Sequence, residues 1–542
     1  MKQIKDPLYG YVDIENKYIK LIDSAEFQRL RNIRQTGYES LYPSALHNRF
    51  VHSIGVFYLG KRAIDKFKNN VKENYPTLIW ESLEETFVLA CLLHDVGHSP
   101  FSHTGEEFYT QSTDFPKIFS ELLSNDELDA DIKRQGFGKP HEAMSAYIGY
   151  NLIKKVKFPF SFDSDLFIRS IIGVTYSAEH ENSLILNTII AMLNGSVIDV
   201  DKLDYLIRDS YVTGYNSMVI DVDRLLTSYT ISTYTAEDNR KKQVAAYKKS
   251  ALSVVENVAY ANDLERRWIQ NNPTILYDCK LIEIAIKNYS THMQEKYPNL
   301  KKYLNVFNEH SISPQGYPNE DEINLRLLSD VDVLEYLKNH DSSEISKQYF
   351  AREDRYKPLW KSEAEFTEVV KGELGARILR ELKSELRTLT STLKAGFFIN
   401  ESVYLEEYNN LKQLIDDKSV GSEKRIDAAK NSIKIYHIFR NFSAEFGFEF
   451  RFAVIYGNHF ESNYKKLAFN DIYVQISNER VIKLEKTLSV QAIVSTEEEQ
   501  QGLFYIYTSR KNLEKAQAER ISIVQLFIQY IQANWDKDVT IE

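Results

Sequence analysis

The sequence predicts a mainly α-helical protein: a large helical body followed by a smaller C-terminal α+β lobe. Three features point there. Glycine and proline are scarce, at 20 and 12 of 542 residues. Long stretches carry apolar residues at helical spacing, whereas period-two alternation is confined to the C-terminal part. No repeat or low-complexity tract interrupts either texture. In chain order, EETFVLACLLH at 84–94 is apolar nearly all round, as a buried helix should be. Gly97 is a helix-stop signal, and Ser99-Pro100 offers an N-cap followed by proline at a first helical position, so a new helix is expected there. Residues 187–209 contain another helix whose later turns are polar on one face.

The stretch 308–322, NEHSISPQGYPNEDE, is rich in turn formers and is the best linker candidate. Further on, Phe448, Phe450 and Phe452 alternate with Glu449 and Arg451, and Ile472, Val474 and Ile476 with Tyr473 and Gln475. LSVQAIV and LFYIY follow. These runs predict a small antiparallel sheet, closed by a helix over about 510–535. The expected division is a helical core over 1–300 and the smaller lobe over 301–542, assigned to oligomerisation or regulation.

Acidic residues outnumber basic ones by 77 to 67, giving a net charge of −10 and a pI near 5.8. Long-range repulsion makes such a chain a poor general binder of nucleic acid or anionic membranes, so neither is expected as its main partner. A polyanionic ligand would need metal ions and local Arg or Lys to overcome that field. Hydrophobic residues at 43% and aromatics at 13% exclude wholesale disorder. No apolar run is long enough for a membrane span, and MKQIKDPLYG lacks an apolar signal core. Cys91 and Cys279 sit in apolar contexts that suit a reducing compartment. A soluble, cytoplasmic protein is the expectation.

Histidine carries the chemistry. His47, His52, His94, His98, His103 and His141 cluster in the first 141 residues. His94-Asp95 places an imidazole and a carboxylate at the end of a very apolar helix, where an unpaired charge costs several kcal/mol or more. A metal ion is one partner for it; a core histidine salt-bridged to its neighbour is the plainer alternative. An ordered set favours the metal: His52 in HNRFVHSIGV, then HDVGH, then Asp201 in IDVDKLDYLIRD, three segments able to deliver His, His-Asp and Asp to one point. Such ligands suit Fe, Mn, Zn or Ni better than Mg or Ca. If a helix begins at Pro100, Glu106 and Glu107 share a face with His103. A near-neutral His103 pKa is then expected, suiting a general acid, against the alternative of an ordinary surface pair. Arg49 lies three residues before His52, and Tyr205 and Asp209 lie four and eight after Asp201, each on the ligand's helical face.

KDPLYGYVDIENKYIKLIDSAEFQRLRNIRQTG, LHNRFVHSIGVFYLG, LLHDVGHSPFSH, PHEAMSAYI and IDVDKLDYLIRDSYVTG occur in this order. With them the chain resembles the HD superfamily of metal phosphohydrolases, and within it the dNTP triphosphohydrolase branch that includes bacterial dGTPases and a mammalian SAM-and-HD-domain dNTPase. The likeness covers about 1–220 and continues weakly to about 285. It implies a helical HD core in which His52, His94, Asp95 and Asp201 bind a divalent transition metal, with Mg on the triphosphate. It implies that His98, His103 and His141, with Glu106, hold the α-phosphate and handle protons, and that Arg49 and Lys202 contact phosphates. Gln35, Tyr205 and Asp209 would hold the deoxyribose, and Gln270 the base. The implied reaction is attack of water on the α-phosphorus, giving deoxynucleoside and triphosphate.

Lys2, Asp23, Gln28 and Arg31 fall where the mammalian relative binds an activating nucleotide between subunits. The resemblance thus implies an activator, a homo-oligomer, and a role in limiting dNTP pools, antiviral defence included. Gln3 and Lys5 depart from the mammalian pattern, as do Ile269 and Asn271 in RRWIQNNP. The rival readings are an HD-type phosphodiesterase or nucleotidase, and a non-catalytic nucleotide-sensing scaffold.

Overall fold

The computed structural model describes residues 1–109, 119, 125–195, 198–215, 219–235, 240–302, 306–317, 322–340, 344–392, 398–416, 423–456, 472–477, 480–484 and 503–537. The chain is mainly α-helical. It forms two compact units interleaved in sequence. The first comprises Met1–Glu265, Ile286–Tyr336 and Ser462–Glu497; the second comprises Arg266–Ala285, Leu337–Glu461 and Glu498–Glu542. The described residues within 301–336 and 472–484, beyond the expected division at 300, pack with the first unit.

The core of the first unit is helical: Arg49–Val71, Trp80–Leu93, Pro140–Lys155, Ser164–Ile172, Ser183–Leu193 and Val200–Thr213. The Trp80 helix is buried continuously from Thr86 to Leu93, which explains its all-round apolarity. Two glycines allow close approach rather than ending helices. A Cβ on Gly55 would lie 1.9 Å from Asp204 Oδ1, and one on Gly97 2.4 Å from the Ser145 backbone nitrogen. Gly97 therefore seats the turn after His94 against the Pro140 helix.

Several local expectations change. No α-helix starts at Pro100; Phe101 and Ser102 adopt left-handed backbone (φ 57° and 53°), and a 3₁₀ helix runs Ser102–Tyr109. The side chain of Glu107 lies outside what the structure describes. The 187–209 stretch belongs to two helices, Ser183–Leu193 and Val200–Thr213, the second begun by the Asp199 cap. The 510–535 helix is also two, Arg510–Glu519 and Ile523–Asn534. It breaks at left-handed Arg520 and restarts under the Ser522 cap. The linker candidate contains the short helix Glu309–Ile312, capped by Asn308. Its backbone can be buried because the Tyr317 hydroxyl donates to the Val306 carbonyl (3.0 Å) and Asn308 caps two amides.

The sheets also differ from a single antiparallel one. Strand Tyr473–Ser477 joins the first unit, parallel to Lys241–Lys248, in a sheet with Tyr229–Thr235 and Arg480–Lys483. The second unit holds an antiparallel sheet of Lys357–Pro358, Phe504–Thr508, Arg451–Tyr456 and Phe398–Asn400. Alternation fixes which face a residue takes, not which strand it pairs with. Phe448 and Phe450 precede the Arg451 strand, and LSVQAIV lies outside the described residues. Two hairpins carry no expectation from the sequence: Lys2–Asp6 with Gly10–Ile14, and Tyr229–Thr235 with Lys241–Lys248. No described helix is long and apolar enough to cross a membrane.

Candidate active site and metal centre

Three element ends build the centre. Asn48 caps the Arg49–Val71 helix by accepting from the Val51 amide (3.2 Å), which puts His52 on its first turn. His94 is the C-cap of Trp80–Leu93. Asp199 caps Val200–Thr213 by accepting from the Lys202 amide (2.6 Å), which puts Asp201 in that helix's first turn.

Their donor atoms converge. His52 Nε2 lies 2.9 Å from Asp201 Oδ1 and 3.6 Å from Asp95 Oδ2. His94 Nε2 lies 3.4 Å from Asp95 Oδ1 and 3.7 Å from Asp201 Oδ1. Metal–ligand bonds of about 2.1 Å put neighbouring donors about 3.0–3.4 Å apart, so the set fits one cation. The His94 Nδ1–H donates to the Cys91 carbonyl (3.0 Å), which turns the Nε2 lone pair inward, where it is buried with no hydrogen-bond partner. Two carboxylates and two imidazoles, all buried but the partly exposed Asp201, form a site that wants a positive ion.

Asp204, not singled out in the sequence, fixes His52. The His52 Nδ1–H donates to Asp204 Oδ2 (2.7 Å), leaving Nε2 for the centre. Arg208 grips Asp204 through Nε and Nη2 (both 2.9 Å) and reaches Asp6 (3.0 Å), while the Tyr9 hydroxyl donates to Asp204 Oδ1 (2.8 Å). The available signal was Asp204 and Arg208 at i,i+4 within IDVDKLDYLIRD.

Burial opposes ionisation of Asp95, but Arg49, His94 and His52 outweigh it and hold its carboxyl below the usual range. Burial likewise opposes protonation of His52, yet Asp201 and Asp204 raise its pKa to about 9. A proton there competes with a cation for Nε2. Divalent-metal affinity should therefore rise by about tenfold per pH unit from pH 7 toward 9 as that proton becomes easier to displace, measured by metal titration across pH.

Beside the centre lies a histidine cluster. His98 is fully buried and stacks on His141 (centroids 4.0 Å apart, 18°), and His103 stands edge-on to both. Glu106 bridges His103 Nδ1 (2.9 Å) and His141 Nδ1 (2.8 Å), leaving each Nε2 for another partner. The near-neutral pKa expected for His103 is not what the site produces. Burial and Lys139 outweigh Glu106 and lower it to about 4, although the side chain stays 52% exposed. Burial and Arg49 push His98 down as well.

Of the expected substrate residues, Arg49 is buried and donates to Asp95 (2.8 Å), Ser102 Oγ (2.8 Å) and the Gln35 carbonyl (3.5 Å). The Lys202 ammonium donates to Asp199 (2.6 Å) and the Gly195 carbonyl (2.9 Å). Gln35 is buried with its Oε1 unpartnered. Tyr205 is half-buried on the Asp201 helix. Asp209 does not pair with Arg208; its Oδ1 lies 2.9 Å from His47 Nε2. Gln270 ends the π-helical turn Arg266–Gln270 in the other compact unit. Lys2 pairs with Asp23 (2.6 Å), and Arg31 donates to Gln28 (2.8 Å), whose amide donates to the Ile22 carbonyl (2.8 Å). These four residues form a polar surface patch.

Residues 49–209, whose helices deliver His, His-Asp and Asp to one point, match the HD domain family. Several of the proteins the chain is similar to carry the name deoxynucleoside triphosphate triphosphohydrolase. The chain is 34% identical over 217 residues to the Deoxynucleoside triphosphate triphosphohydrolase SAMHD1 homolog of Dictyostelium discoideum, covering 39% of this chain and 37% of that one. It is 29% identical over 307 residues to Uncharacterized protein MJ1154 of Methanocaldococcus jannaschii, covering 56% and 53%. It is 26% identical over 302 residues to Deoxynucleoside triphosphate triphosphohydrolase SAMHD1 of Xenopus laevis, covering 53% and 45%. The matches thus span about half or less of these relatives. A crystal structure of a hypothetical protein from Aquifex aeolicus shares the fold with TM-score 0.53 and 20% identity, covering 96% of this chain and 99% of that one.

Proposed function

We propose that this chain is a metal-dependent dNTP triphosphohydrolase, converting dNTP and water to deoxynucleoside and triphosphate. The observation that carries the reading is the adjacency of the His52/His94/Asp95/Asp201 donors to the Glu106-bridged histidines, His98 touching both through Asp95 Oδ1 (3.5 Å). A divalent transition metal (Fe, Mn, Zn or Ni) held by those four residues would supply Lewis acidity toward water and a phosphoryl oxygen.

The protein's own groups do the rest. Arg49 uses three of its five N–H donors on Asp95, Ser102 and Gln35, leaving two for phosphate. Lys202 keeps its third proton for the same purpose. A triphosphate with its Mg would still be anionic and would raise the depressed pKa of His103, so proton uptake accompanies substrate entry. The charged imidazole can then protonate the departing 5′-oxygen while Glu106 holds its Nδ1–H. His98 and His141 line the α-phosphate. The buried, unpartnered Gln35 Oε1 and the His47–Asp209 pair receive the sugar, with Tyr205 stacking on it. The Lys2/Asp23/Gln28/Arg31 patch takes a nucleotide activator in a homo-oligomer, and draining dNTP pools serves antiviral defence.

The deciding experiment incubates the metal-loaded protein with all four dNTPs, with and without each nucleotide as effector. Deoxynucleoside and triphosphate are the expected products; nucleoside monophosphate would mark a diesterase or nucleotidase instead. His103→Gln should lower turnover by about 10²–10⁴-fold, as loss of a general acid does, with metal content unchanged by elemental analysis.

A further inference from the structure

We infer that Asp330, far outside the HD domain in sequence, is a positioning residue for the histidine cluster. This rests on the reading of His98, His103 and His141 as the proton-handling groups.

The loop that presents His98 and His103 is held in an unfavourable shape. Phe101 and Ser102 both have left-handed backbone (φ 57° and 53°), which side-chain-bearing residues avoid. Asp330 supplies what holds it. Its carboxylate is 3% exposed and accepts from two backbone amides, Phe101 through Oδ1 (2.6 Å) and Arg34 through Oδ2 (2.9 Å). Phe101 lies two residues before His103, and Arg34 immediately precedes Gln35. One side chain thus ties the catalytic loop to the segment that carries the sugar-facing amide.

The surrounding bonds give the tether direction. Arg29 donates to the Leu328 carbonyl (2.6 Å), the Val96 carbonyl (3.2 Å) and the His98 carbonyl (2.6 Å). Ser102 Oγ accepts from Arg49 Nε (2.8 Å) and donates to the Arg34 carbonyl. The strip at 328–330 is therefore clamped between the N-terminal segment and the loop, and Asp330 is the one residue of the strip whose side chain bonds to both. Burial pushes its carboxyl up to about 7 in spite of the two amides and Arg34, so the fold maintains this group against a desolvation penalty. Its neighbour Asp332 turns away, accepting from the Ser329 amide (2.8 Å) and hydroxyl (3.0 Å), and supplies the control.

The test compares full-length Asp330→Asn with Asp332→Asn. An asparagine can accept from one amide but presents N–H to the other, so one tether is lost. Amide exchange in peptides spanning 96–106 should quicken by about tenfold. Turnover number should fall by about 10²-fold, with KM within about twofold and metal content unchanged, because the reacting groups are misplaced rather than removed. Asp332→Asn should leave both readouts at the parent's values. Should Asp330→Asn not fold, the smaller Asp330→Ser replaces it with the same expectations. Parental loop exchange together with parental turnover in the Asp330 variant would overturn the inference. If the parent turns over no dNTP, the exchange comparison still decides the positioning role, and the failure belongs to the proposed function alone.

Discussion

Replacing His94 by alanine is expected to yield a folded chain that retains no divalent metal and hydrolyses nucleotide about 10³-fold or more slowly, as loss of a metal's contribution to phosphoryl transfer requires. His94 caps its helix through an ordinary right-handed backbone conformation that alanine also adopts, so the fold should survive. What disappears is a buried Nε2 that faces Asp95 and Asp201. Without it, two carboxylates and a single imidazole remain to hold an ion. Elemental analysis and turnover should fall together. Chelation of the parent should reproduce the loss, and returning metal should restore the parent but not the variant. A variant that keeps both metal and activity would remove His94 from the centre.

The second large effect belongs to Asp204. Asp204→Ala strips the partner from His52 Nδ1 and from the bidentate grip of Arg208, both fully or nearly fully buried. Removing one member of a buried charge network costs about 3–5 kcal/mol, read by denaturant unfolding. Loss of the carboxylate that orients a ligating histidine lowers metal affinity by about 10–100-fold. The pH dependence has a definite sign. Burial raises the Asp204 pKa, but Arg208 and His52 more than compensate and lower it to about 2, below its unfolded value of about 3.9. The stabilisation is therefore present above pH 4 and disappears as pH falls through about 2. The parent–variant difference should be largest between about pH 5 and 6.5, shrink in strong acid, and also decline as pH rises toward 9, where His52 gives up the proton that Asp204 helps to hold. A difference that instead vanished near pH 7 would show that Asp204 is not the ionised anchor of this network.

The four ligand candidates were legible because they stand in short motifs, HNRFVHSIGV, HDVGH at the end of an apolar helix, and IDVDKLDYLIRD, in an order that resembles a known family. The network behind them was not. Asp6, Tyr9, Asp204 and Arg208 become neighbours across as many as 202 positions of chain, and nothing in the spacing of DPLY announces a contact with a helix so distant. Ser99-Pro100 shows the opposite failure. Its local signal for a helix start is genuine, yet the Asp330 carboxylate, 229 residues away, holds Phe101 in a conformation no helix permits. In 510–535 the periodicity continued through a break that left-handed Arg520 makes.

Residue type and order alone determined the helical class and the candidate metal-binding positions, because helical periodicity, capping and side-chain chemistry are properties of short stretches. Tertiary structure alone decided which tautomer His52 presents, how far the protonation of His103 shifts, and which distant carboxylates hold the ligand helix and the catalytic loop. Those outcomes depend on burial and on charges brought together across the chain, and both come into being only when the chain folds.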